Sequence, residues 1–336
     1  MRKLVTLLLA AAMSVTGIVG VAAQEADNAV GTGIGSTAVY FDDRGNQLAT
    51  LEVTEVEAGW SEYGDNGAPA RGYDYHAVHF TITNDSAAEL EINQNRLSLV
   101  DTQGLNNTRK NVRLDSGADT NVLTDNVVLD AGESRDATLV FELFSDVFPA
   151  LFMWQPDSGS LVIVNVSDGT AEESAVVTGL DTSATFADDR GNVVGSIEVL
   201  EVEDGWQDHQ ENRTPDRGMR YVAVHFQITN LSSAPIEMNP YNVSLLDSES
   251  TNNARANVNA METADVQVTS DRVDIAPGES FQGMMVYTLF EGVEPPALIW
   301  QPEYGVITAV ILSDDGAGTE TEVAPEEDDV AATPAA

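Results

Sequence analysis

Residues 71–84 read RGYDYHAVHFTITN, and residues 217–230 read RGMRYVAVHFQITN. In the second stretch Val222, Val224, Phe226 and Ile228 recur at every other position. That period of two puts one side of a β-strand on a core. In the first stretch His76, Val78, Phe80 and Ile82 take the same face. His79 and His225 fall out of phase with these residues, so they are expected on the opposite face with Tyr75 and Tyr221.

The rest of the chain repeats around this strand. DDRGN at 42–46 returns at 188–192, and EVEAGW at 55–60 returns as EVEDGW at 201–206. GES at 132–134 returns at 278–280, and MWQP at 153–156 returns as IWQP at 299–302. All pairs share one offset, the 146 positions that separate Trp60 from Trp206. A repeat this long is a duplicated domain rather than a solenoid unit. Each unit holds further short apolar runs, such as RLSLVD, DATLVFELF, ALFMW and LVIVNVSD, bounded by Gly, Pro, Asn or Asp. Neither unit shows a helical period. The fold class expected is all-β, as two tandem Ig-like β-sandwich domains.

Composition sets the remaining boundaries. Residues 1–23 read as a signal peptide: Arg2 and Lys3 precede the apolar run LVTLLLAAAMSVTGIVGV, and Val21-Ala22-Ala23 supplies small residues for cleavage. Residues 24–36 are expected to be a flexible lead-in, 37–169 the first sandwich, 170–182 a linker and 183–315 the second sandwich. Each sandwich is expected to fold by itself. Residues 316–336 are acidic, hold no aromatic residue and are expected to be a disordered tail.

The chain has 55 Asp and Glu against 15 Lys and Arg, a formal net charge of −40. Such a surface repels phosphate backbones and anionic headgroups, which argues against nucleic acid and an inner-leaflet membrane as partners. No segment after the leader is apolar enough to span a bilayer, so no stable membrane insertion is expected once it is cut; a retained N-terminal anchor is the alternative to cleavage. There are no cysteines, which excludes disulfides, thiolate metal sites and cysteine nucleophiles. No P-loop, dinucleotide fingerprint, serine triad signature or His-Glu-x-x-His motif is present, so no cofactor and no enzymatic activity are expected.

YVAVHFQITNLSSAPIEMNPYNVSLLDSE at 221–249, followed by IAPGESFQGMMVYTLFEG at 275–292, resembles the telokin-like, Ig-like domain of secreted bacterial proteins. That group includes the mycobacterial immunoprotective extracellular protein and many domains of unknown function. The matching features are strands ending in Thr83-Asn84 and Thr229-Asn230, strands ending in Asp101 and Asp247, and the turns Ala131-Gly132-Glu133 and Pro277-Gly278-Glu279. The resemblance implies an Ig-like sandwich and an extracytoplasmic address, and it transfers no catalytic residue. The glycine expected after the strand-ending Asp is displaced to Gly104 in the first copy and absent from the second, which predicts a different loop there.

Two candidate sites follow. The outward face of the doubled strand, Tyr75, His79, Tyr221 and His225, is a candidate partner surface, present twice and so able to bind with avidity. The competing reading is ordinary semi-exposed strand residues. The partner would be a protein or a cell-surface ligand. The second candidate is divalent-cation or small-ligand capture by the acidic loops at Asp42, Asp43, Asp188 and Asp189. Against it stands the plain turn, because Asp and Asn bond their own backbone and Gly permits positive φ. Trp60, Trp154, Trp206 and Trp300 repeat in register and are expected to pack, with a carbohydrate platform as the rival. Arg71 and Arg217 are expected to pair with local carboxylates.

Overall fold

The computed structural model describes residues 28–312 apart from 65–66, 116–120, 170, 172, 189 and 265. The leader and the acidic tail expected at 1–23 and 316–336 lie outside the described residues. The described chain is all-β. The first unit contains β1 (Val30–Gly31), β2 (Thr37–Phe41), β3 (Gln47–Ala58), β4 (Tyr73–Asn84), β5 (Leu90–Ile92), β6 (Leu97–Asp101), β7 (Asn106–Thr108), β8 (Val127–Leu129), β9 (Ser134–Phe144), β10 (Pro149–Trp154) and β11 (Val162–Asn165). The second repeats it strand for strand: β12 (Val176–Thr178), β13 (Ser183–Ala187), β14 (Val193–Asp204), β15 (Met219–Asn230), β16 (Ile236–Met238), β17 (Val243–Leu246), β18 (Asn252–Ala254), β19 (Val273–Ile275), β20 (Ser280–Phe290), β21 (Ala297–Trp300) and β22 (Thr308–Ile311).

In each unit a four-stranded sheet, β2-β3-β4-β9 or β13-β14-β15-β20, lies over a five-stranded one, β1-β11-β10-β6-β7 or β12-β22-β21-β17-β18. The quoted strands, β4 and β15, are central in the four-stranded sheets. Val78, Phe80 and Ile82 face Leu97, Leu99, Phe152 and Trp154 across the first core. Val222, Val224, Phe226 and Ile228 do the same in the second, against Leu245, Leu298 and Trp300. All four tryptophans are buried, which bears out packing and leaves none of them exposed as a sugar platform.

The features behind the family resemblance have structural causes. The Asn84 amide sits at the end of β4 and donates to the carbonyls of Ala88, Leu129 and Asp130, while its oxygen accepts from the Ser86 N–H and hydroxyl. In the second unit the Asn230 amide donates to the carbonyls of Ala234 and Ile275, and its oxygen accepts from the Ser232 N–H and hydroxyl. Asp101 is buried at the end of β6. Its carboxylate accepts from the N–H groups of Gln103 and Leu105 and from the Asn107 amide. Burial pushes the Asp101 carboxyl up to about 6, against those bonds. The loop expected to differ in the second copy keeps its shape. Ser250 takes φ +65 where Gly104 takes φ +89. A serine there is strained by roughly 1 kcal/mol, and its Oγ, which accepts the Phe41 N–H at 3.0 Å, offsets that cost.

That contact belongs to the main departure from the sequence reading. The two units are joined by a third apolar layer, between the two sandwich cores, rather than by a free linker. Alternate residues of β10, Leu151 and Met153, turn away from the first core. With Val100, Leu161 and Ile163 they pack on Leu246, Ala297, Ile299, Ile307 and Ala309 of the second unit. The five-stranded sheets therefore stack back to back, and their strands are apolar on both faces, as the unbroken runs ALFMW and LVIVNV require.

The contact is reciprocal. Leu105 bridges Val306, and Ser160 bridges Thr251. Asn106 N–H donates to Gly305 O at 2.8 Å, and Asn252 N–H donates to Gly159 O at 2.9 Å. Ala29 N–H donates to Ser248 O, and Ala175 N–H to Thr102 O. Each pair maps on the other by the repeat offset, so the molecule is a pseudo-two-fold dimer in one chain. The segments expected to be a flexible lead-in and a linker, 24–36 and 170–182, hold β1 and β12, which pair parallel with β11 and β22. The sequence signal was available: AVGTG at 29–33 and AVVTG at 175–179 keep the same offset.

His76 lies on the core face as expected and is buried, with no partner for its Nδ1 among the described residues. Burial holds its pKa below the usual histidine value. A depressed histidine stabilises the fold above its unfolded pKa, and that contribution is lost as pH falls through the folded value. The raised Asp101 works in the opposite direction, stabilising below the unfolded carboxylate value and losing that as pH rises through about 6. His76→Val isolates the first effect, since Val222 already fills this position in the second unit. The variant is expected to be more stable than the parent by about 1 kcal/mol at pH 7.5, with a larger margin at pH 5.5. Denaturant midpoints at the two pH values check this; a margin that shrinks on acidification would contradict it.

Candidate functional site

The outer face of the first four-stranded sheet is roofed. The β3–β4 connection carries Trp60 and Tyr63 over the sheet, with Trp60 N–H bonded to Tyr75 O at 2.9 Å. Residues 109–115 run along the free edge of β9, where Lys110 N–H donates to Val140 O at 2.7 Å. The two segments join at the Tyr63–Leu114 bridge. Beneath them Trp60, Tyr75, Ala77 and Val140 form a second small core. The second unit builds the same roof over Tyr221, Ala223 and Val286, with His209 in the place of Tyr63.

This corrects the candidate partner surface. Tyr75 and Tyr221 lie on the predicted face but are buried, 4% and 8% exposed. His79 and His225 stay partly open, with side chains 28% and 20% exposed. His79 Nδ1 lies 3.0 Å from Thr138 Oγ1, and its Nε2 lies 3.6 Å from Glu57. A hydroxyl, an imidazole and a carboxylate in series have the outline of a nucleophile system. Thr138, however, is buried, only 3% exposed. In the second unit Met284 replaces the threonine, and His225 keeps only Glu203, at 4.0 Å.

In the acidic loops, Asp42 and Asp188 are engaged by their own turns. Asp42 Oδ1 accepts from the N–H groups of Arg44 and Asn46, and both oxygens take the Asn46 amide. Asp188 is spent on Arg190 and Asn192 in the same way. Those bonds hold both carboxyls below the usual range. Each loop also docks on the opposite unit. Glu249 Oε1 lies 2.9 Å from where a Cβ on Gly45 would stand, and Gln103 Nε2 is as close at Gly191. Asp43 is exposed, and Asp189 lies outside the described residues. No group of three or more His, Asp or Glu suited to a metal ion occurs among the described residues. Arg71 and Arg217 make no ion pair among them; the Lys and Arg ion pairs there are Lys110–Glu142, Arg220–Asp204 and Arg272–Glu237.

The Lys110–Glu142 pair marks a feature the sequence reading missed. Between the roof and β9 the first unit opens a cleft of about 390 Å³, lined by Gly67, Ala70, Tyr75, Lys110, Arg113 and Glu142 among others. Glu142 Oε2 meets Lys110 Nζ, and Oε1 accepts the Ala70 N–H at 3.0 Å. Burial works against the Glu142 carboxylate, but these two bonds outweigh it and keep the group ionised below the usual range. The second unit lacks this set: Ala256, Asn259 and Thr288 stand in place of Lys110, Arg113 and Glu142. Its Tyr221 hydroxyl donates to Arg213 O at 2.9 Å, where the first unit has Gly67. The signal was there to read. Lys110 is the only lysine beyond residue 3, and it falls where the two copies differ in charge.

Residues 195–308, within the second unit, match a family described as a domain of unknown function, DUF4352. No curated protein sequence matches the chain. Among solved structures, the Bacillus subtilis protein YcdA is 10% identical at a TM-score of 0.31, over 40% of this chain and 39% of its own length. The secreted protein MPT63 of Mycobacterium tuberculosis is 10% identical at 0.31, over 41% of this chain and 95% of its own. An uncharacterised β-sandwich protein of Clostridium difficile is 12% identical at 0.27, over 44% and 100%.

Proposed function

We propose that the chain is a secreted, non-catalytic binding protein built from two telokin-like, Ig-like sandwiches, with its ligand side on the first unit. The second unit serves as a fused structural partner, so the two equivalent sites expected from the duplication are replaced by one. The observation that carries this reading is the one-sided cleft: Lys110, Arg113 and Glu142 line it in the first unit, and Ala256, Asn259 and Thr288 stand at those positions in the second. The basic start, apolar run and small residues of 1–23 support an extracytoplasmic address.

Converting the first cleft to the second unit's residues tests it. A panel of soluble small molecules is screened by thermal shift on the full chain and on Lys110→Ala/Arg113→Asn/Glu142→Thr. Ligands that bind only the native state raise its melting temperature. The expected result is a set of stabilisers that act on the parent and lose their effect in the triple variant. Stabilisers that act equally on both would overturn the assignment of the cleft.

A further inference from the structure

We infer that the first unit's cleft takes a small organic carboxylate. The inference rests on the cleft being the ligand site and adds the chemical class of the ligand.

Three observations point the same way. The first is an unspent donor. Tyr75 is 4% exposed, lines the cleft and has no hydrogen bond for its hydroxyl among the described residues. Its twin Tyr221 gives that bond to Arg213 O. The first unit therefore presents to the cleft a hydroxyl that the second unit spends on its own chain.

The second is the balance of donors and acceptors. Both oxygens of Glu142 are engaged, by Lys110 and by the Ala70 N–H. The Asn111 side-chain oxygen is engaged by Arg109. What remains unspent on the lining side chains donates: the Tyr75 O–H, the free N–H groups of Lys110, the Asn111 amide nitrogen and the Arg113 guanidinium, which makes no ion pair among the described residues. Two cations against one neutralised acid leave positive charge over, in a chain whose formal charge is −40. An acceptor-only anion satisfies such a set.

The third is the wall. Ala68, Ala70 and Val112 line the same cleft, which suits a short carbon skeleton better than a bare inorganic anion. A volume near 390 Å³ lies at the small end of ligand pockets.

The test uses the full chain labelled with ¹³C,¹⁵N-lysine. It gives two lysyl signals, and that of Lys110 is assigned by its loss in Lys110→Arg. Butyrate, succinate and benzoate are titrated beside butyramide, succinamide, benzamide and inorganic phosphate. The expected result is a saturable shift of the Lys110 signal with at least one carboxylate, absent with its amide and with phosphate. Tyr75→Phe should weaken that affinity about three- to tenfold, and Tyr221→Phe should leave it unchanged. A shift produced equally by the amide, or by phosphate alone, would overturn the carboxylate assignment while leaving the cleft as a binding site. No movement of Lys110 with any probe would overturn both.

Discussion

Leu151→Asp is expected to lower the stability of the full chain by about 4 kcal/mol or more. Leu151 is fully buried, yet it contributes nothing to the core of its own sandwich. It points from β10 into the apolar layer shared with Leu246, Ala297 and Ile299 of the second unit. A carboxylate there loses water and gains no cation, since that buried cluster is wholly apolar. The loss should come with a change in cooperativity. If the shared layer couples the two units, weakening it should split one denaturant transition into two. Fluorescence-monitored denaturation of parent and variant checks both features. A variant that melts within 1 kcal/mol of the parent, in one step, would mean that the units touch without depending on each other.

Phe226→Ala should cost about 3–5 kcal/mol through the cavity it leaves. The ring is buried at the centre of the second core, on the strand whose alternation defines the fold. His225→Ala, one residue away and facing the other side, should cost no more than about 1 kcal/mol. Its imidazole is partly open, and the one carboxylate it approaches as an ion pair among the described residues, Glu203, is 4.0 Å off. Paired melts of the two variants measure the difference directly. Equal losses would show that the strand is turned over.

These two substitutions mark what was and was not legible in the amino-acid sequence. The period of two in β4 and β15 names the core face correctly, and Val78, Phe80, Val224 and Phe226 all lie where it puts them. It also puts Tyr75 and Tyr221 on the opposite face, which is right, but a period says nothing of what covers that face. Two loops without a strand pattern roof it, and the tyrosines are buried. The shared layer was hidden for a related reason. A strand apolar on both faces reads as one continuous run, and ALFMW does not say whether its second face meets its own sandwich or another. The lead-in and the linker looked polar and Gly-rich, yet Val30 and Val176 extend the five-stranded sheets at their edges. The cleft was hidden because repeats draw the eye to positions that match. Lys110, Arg113 and Glu142 are positions where the copies part.

The central claim is that the chain is a pseudo-two-fold dimer fused end to end, and the oligomeric state of one unit alone tests it most directly. Residues 28–169 carry β1 to β11 and one complete copy of the reciprocal face, including Leu105, Leu151, Ser160 and Ile163. Freed of its partner, that face is apolar and exposed, and it carries one half of each reciprocal backbone contact across the shared layer. Sedimentation velocity on this fragment at micromolar concentration should give a dimer. A monomer that unfolds cooperatively and shows no self-association would contradict the claim.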